Sequence, residues 1–186
     1  MGKVTFSVAC SLDGYQTDFD GSYAWAKPTE EVIAAINDDA RNVSTYLYGR
    51  HAYAEMASWE TDPSLAEKSA ESARFAEAWK AADKIVFSRS LGEVWTERTR
   101  LEKELTPEAL DAAKTEASGD LTLEGPLLAR SALSRGLIDE VAILLCPVVV
   151  GGGGPVFPTG MEAQLSLVDE KRFENGMLRL RYALKK

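Results

Sequence analysis

Short apolar runs alternate with amphipathic segments along most of the chain, as in proteins whose strands and helices follow one another. The apolar runs predict strands over residues 4–12, 46–49, 84–87, 121–123 and 138–150, the last with a kink at Pro147. Segments with an apolar face predict helices over residues 29–41, 52–57, 72–82, 107–118 and 127–135. The alternation predicts an α/β fold.

The remaining segments carry other signals. The last two apolar runs, 165–169 and 177–184, flank Asn175-Gly176 and predict a C-terminal β-hairpin. Residues 13–28 predict a long polar and aromatic binding loop, whereas residues 61–68 and 96–105 carry no clear pattern. No internal repeat, low-complexity tract or linker interrupts the sequence, so we predict a single domain over residues 1–186.

The first predicted strand-to-helix junction with a chemical signal is Gly49-Arg50-His51. Unpaired backbone N–H groups and the dipole at a helix start attract anions, and an arginine beside them offers a charged fork for phosphate oxygens. The pattern therefore predicts a phosphate site. A glycine followed by a surface arginine is equally typical of an ordinary turn, so the other junctions must decide.

Two further junctions repeat the arrangement. Ser88-Arg89-Ser90 follows the predicted strand 84–87, and Glu124-Gly125-Pro126 joins the strand 121–123 to a helix. Because ligands of open α/β sheets bind at the carboxyl ends of strands, we expect these segments to line one cleft.

Charge and composition exclude several partners. The chain has 21 basic and 29 acidic residues and a formal net charge of -8, and its basic residues are not clustered, which disfavours nucleic acid and anionic membranes. No apolar run reaches the ~20 residues that cross a bilayer. Cys10 and Cys146 lie in apolar runs, as buried free thiols do, and no signal peptide pattern occurs near Met1, so we expect a cytoplasmic protein.

Several chemistries lack their residues. His51 is the single histidine, and neither a G-x-S-x-G nor a Walker A motif occurs. Asp18 and Asp20 before a glycine lack the further ligands of a calcium loop, so we predict no metal site. The glycines at 151–154 precede prolines rather than a helix, which excludes the usual dinucleotide motif there. After these exclusions, the sequence still offers sites for phosphate groups, arginines at strand ends and aromatic residues in the first loop. A bound dinucleotide requires about this set of residues.

The ordered motifs resemble those of the dihydrofolate reductase superfamily, in its branch similar to the reductase domain of riboflavin biosynthesis. The resemblance spans nearly the whole chain and rests on Ser11-Leu12-Asp13-Gly14, Asp20-Gly21, Trp25, Tyr48-Gly49-Arg50-His51-Ala52-Tyr53, Lys84-Ile85-Val86-Phe87-Ser88-Arg89, Gly136-Leu137-Ile138-Asp139-Glu140 and Pro147-Val148-Val149-Val150-Gly151-Gly152-Gly153. It implies a three-layer α/β/α fold with a mixed, mostly parallel central sheet completed by the hairpin, and a homodimer.

The resemblance also implies an NADPH site. The resemblance implies that Ala9 and Trp25 flank the nicotinamide and that Gly125, Pro126, Leu127 and Leu128 line the pyrophosphate. It also implies that Gly49, Arg50 and His51 hold the pyrophosphate and 2′-phosphate region, and that Ser88, Arg89 and Ser90 surround the 2′-phosphate. Two arginines favour NADPH over NADH because they can neutralise the 2′-phosphate dianion. The family commonly has two glycines where Glu124-Gly125 stands, so we expect Glu124 to crowd the pyrophosphate.

The resemblance leaves the proton donor and the substrate open. Folate reductases carry a carboxylate on the first helix, for which Glu30, Asp38 and Asp39 are the candidates, although each is also typical of a helix surface. Leu145 stands where folate binders have threonine, and the substrate-phosphate arginine of the riboflavin enzyme is replaced near Asp39. We therefore expect hydride transfer to an unphosphorylated, neutral or cationic heterocycle or conjugated compound. The alternatives are a nucleotide-binding module without redox catalysis and a non-redox enzyme on this scaffold.

Overall fold

The computed structural model describes residues 2–185. The strands are β1 (Val4–Ser11), β2 (Tyr15–Thr17), β3 (Val43–Gly49), β4 (Asp83–Phe87), β5 (Thr99–Glu102), β6 (Asp120–Glu124), β7 (Glu140–Cys146), β8 (Gly154–Pro155), β9 (Leu165–Arg172) and β10 (Leu178–Leu184). The helices are α1 (Glu30–Asp39), α2 (Arg50–Met56), α3 (Ser58–Thr61), α4 (Pro63–Ala66), α5 (Ala70–Ala81), α6 (Pro107–Glu116) and α7 (Pro126–Ser134), and a 3₁₀ turn spans Ala40–Asn42.

Eight strands form one sheet in the order β5-β4-β3-β6-β1-β7-β10-β9, and β2 and β8 form a separate two-stranded ribbon. The pairs from β5 to β7 are parallel. The last two strands are antiparallel. This mixed, mostly parallel sheet with a terminal hairpin confirms the predicted fold class.

Helices cover both faces of the sheet, because strand side chains alternate between the faces. On one face α6 and α7 enclose the first core cluster, which contains Phe6, Leu47 and Leu123. On the other face α2 and α5 enclose a second cluster around Tyr48 and Trp79. A third cluster beneath α1 packs beside β7 on that same face.

Local signals explain most helix starts. Thr106 Oγ1 accepts a hydrogen bond from Ala109 N at 3.1 Å, and Pro107 occupies the first helical position, so the predicted cap of α6 is confirmed. Thr29 precedes α1 as predicted, but its side chain makes no capping hydrogen bond. Among the described residues, no helix is both long and apolar enough to cross a bilayer.

Several boundaries differ from the prediction. β7 ends at Cys146 rather than running to residue 150, since Pro147 has no N–H to donate to the sheet. β5 occupies part of the segment predicted to be irregular; its four residues, T-R-L-E, lie at the sheet edge and carry little apolar pattern. Helix α4 begins at Pro63 behind an Asp62 cap that accepts from Ser64 N, a start signal that the prediction missed.

Candidate cofactor and substrate site

The candidate site lies between neighbouring strands whose following helices pack on opposite faces of the sheet. α1 and α2 follow β1 and β3 on one face, whereas α7 follows the intervening β6 on the other. Their parallel strands bring the carboxyl ends together, with Gly49 aligned with Phe87 and Tyr48 with Glu124. A reversal of this kind opens a crevice at the sheet edge.

Arg50, His51 and Ser90 meet at this edge. Arg50 Nη1 donates to Ser90 Oγ at 3.2 Å, and Arg50 Nη2 donates to His51 Nε2 at 3.0 Å. Ser88 Oγ accepts from the backbone N–H groups of Ser90 and Leu91, which fixes the turn after β4. Two strand ends thus supply an arginine, an imidazole and a hydroxyl to one place.

Arg89 is oriented differently. Its Nη2 donates to Glu104 Oε2 at 2.5 Å, and the other oxygen of Glu104 accepts from Arg135 Nη2 at 3.0 Å. The hydrogen bonds from Arg135 and Arg89 hold the pKa of Glu104 below its ordinary value. Arg89 therefore has an internal anion as its partner, while the adjacent Ser90 contacts Arg50.

The start of α7 is built for close backbone approach. Gly125 has φ +108, a conformation that L side chains rarely adopt, and a Cβ there would lie 3.3 Å from Ala52 Cβ and 3.5 Å from Gly49 N. Pro126 occupies the first position of α7, and Leu127 and Leu128 follow in its first turn. The helix that begins after Gly125, α7, has nine residues and is longer than α2, which has seven.

The first loop folds back over the crevice. Asp13 accepts from Val150 N at 3.2 Å and Gly151 N at 2.8 Å, which joins the loop to the segment after β7. Farther along, Tyr23 donates its hydroxyl to Glu55 Oε2 on α2 at 3.1 Å. Trp25 packs against the third core cluster, and its indole N–H is buried without an acceptor among the described residues. These contacts hold the aromatic part of the loop near α1 and α2.

Glu124, the last residue of β6, is a further candidate for a functional residue. Burial of its carboxyl group raises its pKa to about 7. Its charge also raises the pKa of Tyr46 and Tyr48, after burial as the larger cause, so the carboxyl lies on the side of those rings. The sequence predicts that Glu124 crowds the pyrophosphate, and the register of β3 with β6 places Glu124 opposite Tyr48.

The three predicted carboxylates of α1 are separated by the helix. Glu30 stands in the first turn, at the end facing the carboxyl edge, since α1 runs antiparallel to the strands it connects. Asp38 pairs with Arg41 at 2.8 Å and with Arg74 at 2.5 Å. Burial raises the pKa of Asp39 even though Arg179 lies 2.7 Å away. The two aspartates are thus engaged by arginines, away from Glu30.

Residues 2–185 contain no group of three or more His, Cys, Asp or Glu side chains that could hold a metal ion. In the first loop, Asp18 Oδ1 accepts from Asp20 N at 3.0 Å and Ser22 N at 2.9 Å. Its carboxylate therefore closes the local turn.

Comparisons with known proteins cover nearly the whole chain. A family model described as the RibD C-terminal domain matches residues 2–179. The uncharacterized protein YyaP of Bacillus subtilis (strain 168) is 24% identical over 187 residues, which cover 97% of this chain and 94% of that protein.

Solved structures show the same fold. A putative riboflavin biosynthesis protein from Shewanella sp. PV-4 matches with a TM-score of 0.74 and 20% identity over 100% of both chains. A diaminohydroxyphosphoribosylaminopyrimidine deaminase/5-amino-6-(5-phosphoribosylamino)uracil reductase from Thermotoga maritima matches with a TM-score of 0.65 and 15% identity. That match covers 99% of this chain but 57% of the Thermotoga chain.

Proposed function

Because the chain belongs to the RibD C-terminal domain family, we propose that it is an NADPH-dependent reductase that transfers a hydride to a small heterocyclic or conjugated substrate. The observation that carries the proposal is the meeting of Arg50, His51 and Ser90 at the ends of β3 and β4. These groups offer one fixed charge and several donors to a phosphate that NADH lacks. Ser88 holds the turn, and Arg89 adds a second charge once it leaves Glu104.

The pyrophosphate would lie at the start of α7. A side chain at Gly125 would fill the space beside Ala52 and Gly49, so the bare backbone there supports close approach of a phosphate. Leu127 and Leu128 supply backbone N–H groups in the first turn, where anions are favoured, and Pro126 shapes the entry without a donor.

The nicotinamide ring would lie between Ala9, near the end of β1, and Trp25 of the first loop. The buried indole N–H of Trp25 lacks an acceptor among residues 2–185, and an unpaired buried donor costs about 1–3 kcal/mol. An acceptor on a bound ligand would relieve that cost. The chemistry supplied by bound NADPH would be hydride transfer, and the apolar contacts of Trp25 would exclude water from the ring.

Glu124 is our leading candidate for the proton donor. Reduction of a polar double bond requires a proton at the atom next to the one that receives the hydride. A carboxyl group with a pKa of about 7 is partly protonated at neutral pH and can donate. Glu30 stays the alternative from α1, because Asp38 and Asp39 already have arginine partners.

The buried carboxyl group of Glu124 supports a substrate without a phosphate. Arg179 and Arg181 of β10 are bound by Asp39, at the end of α1 away from the crevice. A neutral or cationic ring beside Glu124 therefore fits better than a dianion. Tight turnover of a phosphorylated pyrimidine would contradict this part of the proposal.

The test is a titration of NADPH and NADH with wild type, Arg50→Ala, Arg89→Ala and Arg41→Ala. We expect wild type to prefer NADPH, and each of the first two substitutions to weaken NADPH binding by about 10-fold or more with little change for NADH. Arg41 is the control, since it lies before the amino end of β3. Absence of binding of either nucleotide below millimolar concentration would refute the proposal.

The same samples separate the two rival functions. A reductase oxidises NADPH in the presence of an acceptor, which a panel of heterocyclic and conjugated compounds would reveal by loss of NADPH absorbance. A nucleotide-binding module would bind NADPH but would not oxidise it, whichever acceptor is added. A non-redox enzyme on this scaffold would do neither.

A further inference from the structure

The chain between β4 and β5 carries Ser90, which contacts Arg50 in the candidate site. These residues, 88–98, form neither helix nor strand, and we call them the connecting segment. A backbone without sheet or helix partners keeps one conformation where other groups bind its N–H and C=O groups. The position of Ser90 therefore depends on the side chains that bind the connecting segment.

Tyr53 of α2 binds the far end of the connecting segment. Its hydroxyl oxygen accepts from Trp95 N at 2.9 Å and from Thr96 N at 3.1 Å, and it lies 3.0 Å from Thr96 Oγ1. Its ring packs on that of Trp95, with the centroids 4.6 Å apart. The side chain of Tyr53 is completely buried. One buried side chain thus fixes two consecutive residues of the segment.

The neighbours of the Tyr53 hydroxyl determine which way its proton points. Thr99 Oγ1 donates to Glu97 O at 2.9 Å, so in its 2.8 Å contact with Thr96 Oγ1 it is the acceptor. The proton of the Thr96 hydroxyl is therefore used, and Tyr53 donates its own proton to Thr96 Oγ1. The hydroxyl of Tyr53 fills one donor and two acceptor positions, none of which a phenylalanine could supply.

The near end of the connecting segment has its own anchor. Ser88 Oγ accepts from Ser90 N at 3.2 Å and from Leu91 N at 3.0 Å. Leu91 and Val94 pack against the second core cluster, to which Tyr53 belongs. Residues 92–94 alone lie between the amides that Ser88 binds and those that Tyr53 binds. Because this stretch is so short, movement at its far end would displace Ser90.

From these contacts we infer that Tyr53 is a positioning residue that sets the preference for NADPH over NADH, an inference that rests on the proposed function. Arg50 and Tyr53 lie one turn apart on α2. The helix that supplies the arginine therefore also anchors the segment that supplies Ser90. Tyr53 fixes the 3.2 Å contact between Arg50 Nη1 and Ser90 Oγ, where the 2′-phosphate would bind. Since Tyr53 is buried, it acts through the segment and not by contact with the coenzyme.

A structural role alone predicts a different result. Loss of a buried hydroxyl that only stabilises the fold would lower the Tm and affect both nucleotides alike. A positioning role predicts a loss specific to NADPH, because the two nucleotides differ by the 2′-phosphate.

The test is a titration of NADPH and NADH with wild type and Tyr53→Phe. We expect the dissociation constant of NADPH to rise by about 10-fold and that of NADH to change by less than about 2-fold, since phosphate contacts depend on precise placement. Tyr48→Phe is the matched control, because Tyr48 is buried in the same cluster but its hydroxyl accepts from Trp79 Nε1, at 2.9 Å. It should lower the Tm and leave the preference for NADPH unchanged.

Thr96→Val provides a milder variant in case Tyr53→Phe does not fold. It removes the acceptor of the Tyr53 proton but keeps the side-chain shape and both backbone N–H donors. We expect a smaller loss of preference, about 3-fold. Backbone hydrogen exchange at residues 95–97 should rise in both variants and stay at the wild-type rate in Tyr48→Phe.

The outcomes separate the inference from the proposed function. If wild type binds neither nucleotide, the proposed function fails and the inference fails with it. If wild type prefers NADPH and the folded variants at residues 53 and 96 keep that preference, the inference alone is wrong. An equal loss of preference in Tyr48→Phe would also overturn it, because the effect would then come from general loss of stability.

Discussion

At the scale of the residue, the buried carboxyl group of Glu124 predicts how the stability of the folded state changes with pH. Burial raises the pKa of its carboxyl group to about 7 in the folded chain, from an ordinary value of 4.5. The folded state therefore binds more protons than the unfolded state between those values, and the contribution of this group to stability falls as pH rises through that window. Glu124→Gln, which has no charge to bury, should be more stable than wild type at pH 8.5 by on the order of 1–3 kcal/mol.

Denaturant unfolding at pH 4.5 and pH 8.5 measures this effect without a substrate. The difference between variant and wild type should become small at pH 4.5, where the carboxyl group of Glu124 is neutral in the folded state. An equal difference at the two pH values would show that Glu124 ionises normally and would remove its support as proton donor.

Glu104 leads to a second prediction, since under the proposed function it would compete with NADPH for Arg89. The pair joins Arg89 Nη2 to Glu104 Oε2 at 2.5 Å on an exposed surface, where ion pairs contribute little. Glu104→Gln should therefore tighten NADPH binding by a small factor, about 3-fold, and leave NADH unchanged. Glu102→Gln is the matched control, because Glu102 pairs with Arg100 instead. Equal effects of the two substitutions would exclude this competition.

Residue types predicted the charged part of the candidate site, and contacts across the fold determine the positions of the other residues. Gly49-Arg50 and Ser88-Arg89-Ser90 were recognisable because each follows an apolar strand, and the register of β3 with β4 confirms that they are neighbours. The pairing of Arg89 with Glu104 could not be predicted, since it depends on how the end of β5 meets that of β4. The same holds for the burial of the Glu124 carboxyl.

At the scale of elements, the side-chain hydrogen bond from Tyr23 to Glu55 is the one that joins the first loop to α2 within residues 2–185. We expect Tyr23→Phe to raise backbone hydrogen exchange across residues 18–27 by several-fold, because removal of one exposed hydrogen bond of about 1 kcal/mol frees the loop more often. Glu55→Gln, which keeps an acceptor, should change exchange less. If hydrogen exchange in Tyr23→Phe stayed at the wild-type rate, the contacts of Asp13 and Trp25 would be enough to hold the loop without the hydrogen bond from Tyr23.

Helices and strands were predictable where residues at their ends mark where they begin or stop. α6 begins at Thr106-Pro107, and the hairpin turns at Asn175-Gly176, where Asn175 Oδ1 accepts from Met177 N and Gly176 has φ +85. β2, β5 and β8 were missed because their two to four residues become strands only when a distant partner provides the hydrogen bonds.

At the scale of the whole molecule, one eight-stranded sheet links both ends of the chain. β1 near the amino end lies between β6 and β7, and β10 near the carboxyl end pairs with β7. The first core cluster takes residues from β1, β3, β4, β6, β7, α6 and α7. A core shared by elements so far apart in sequence is why we expect residues 1–186 to unfold as a single domain, as the sequence predicts.

Unfolding in the presence of nucleotide tests the domain prediction together with the coenzyme. A ligand that binds only the folded state stabilises it by RT ln(1 + [L]/Kd), or about 2.7 kcal/mol at 100 times Kd. For a chain of this size that corresponds to a rise of about 5–10 °C in Tm. Because Arg50, Gly125 and Trp25 lie on three segments that pack around one sheet, NADPH should shift the whole transition, seen identically by tryptophan fluorescence and by far-ultraviolet circular dichroism. Two separate unfolding transitions, only one of which shifts with NADPH, would contradict the prediction of a single domain. A single transition whose Tm does not change with NADPH would contradict the proposal that the chain binds this coenzyme.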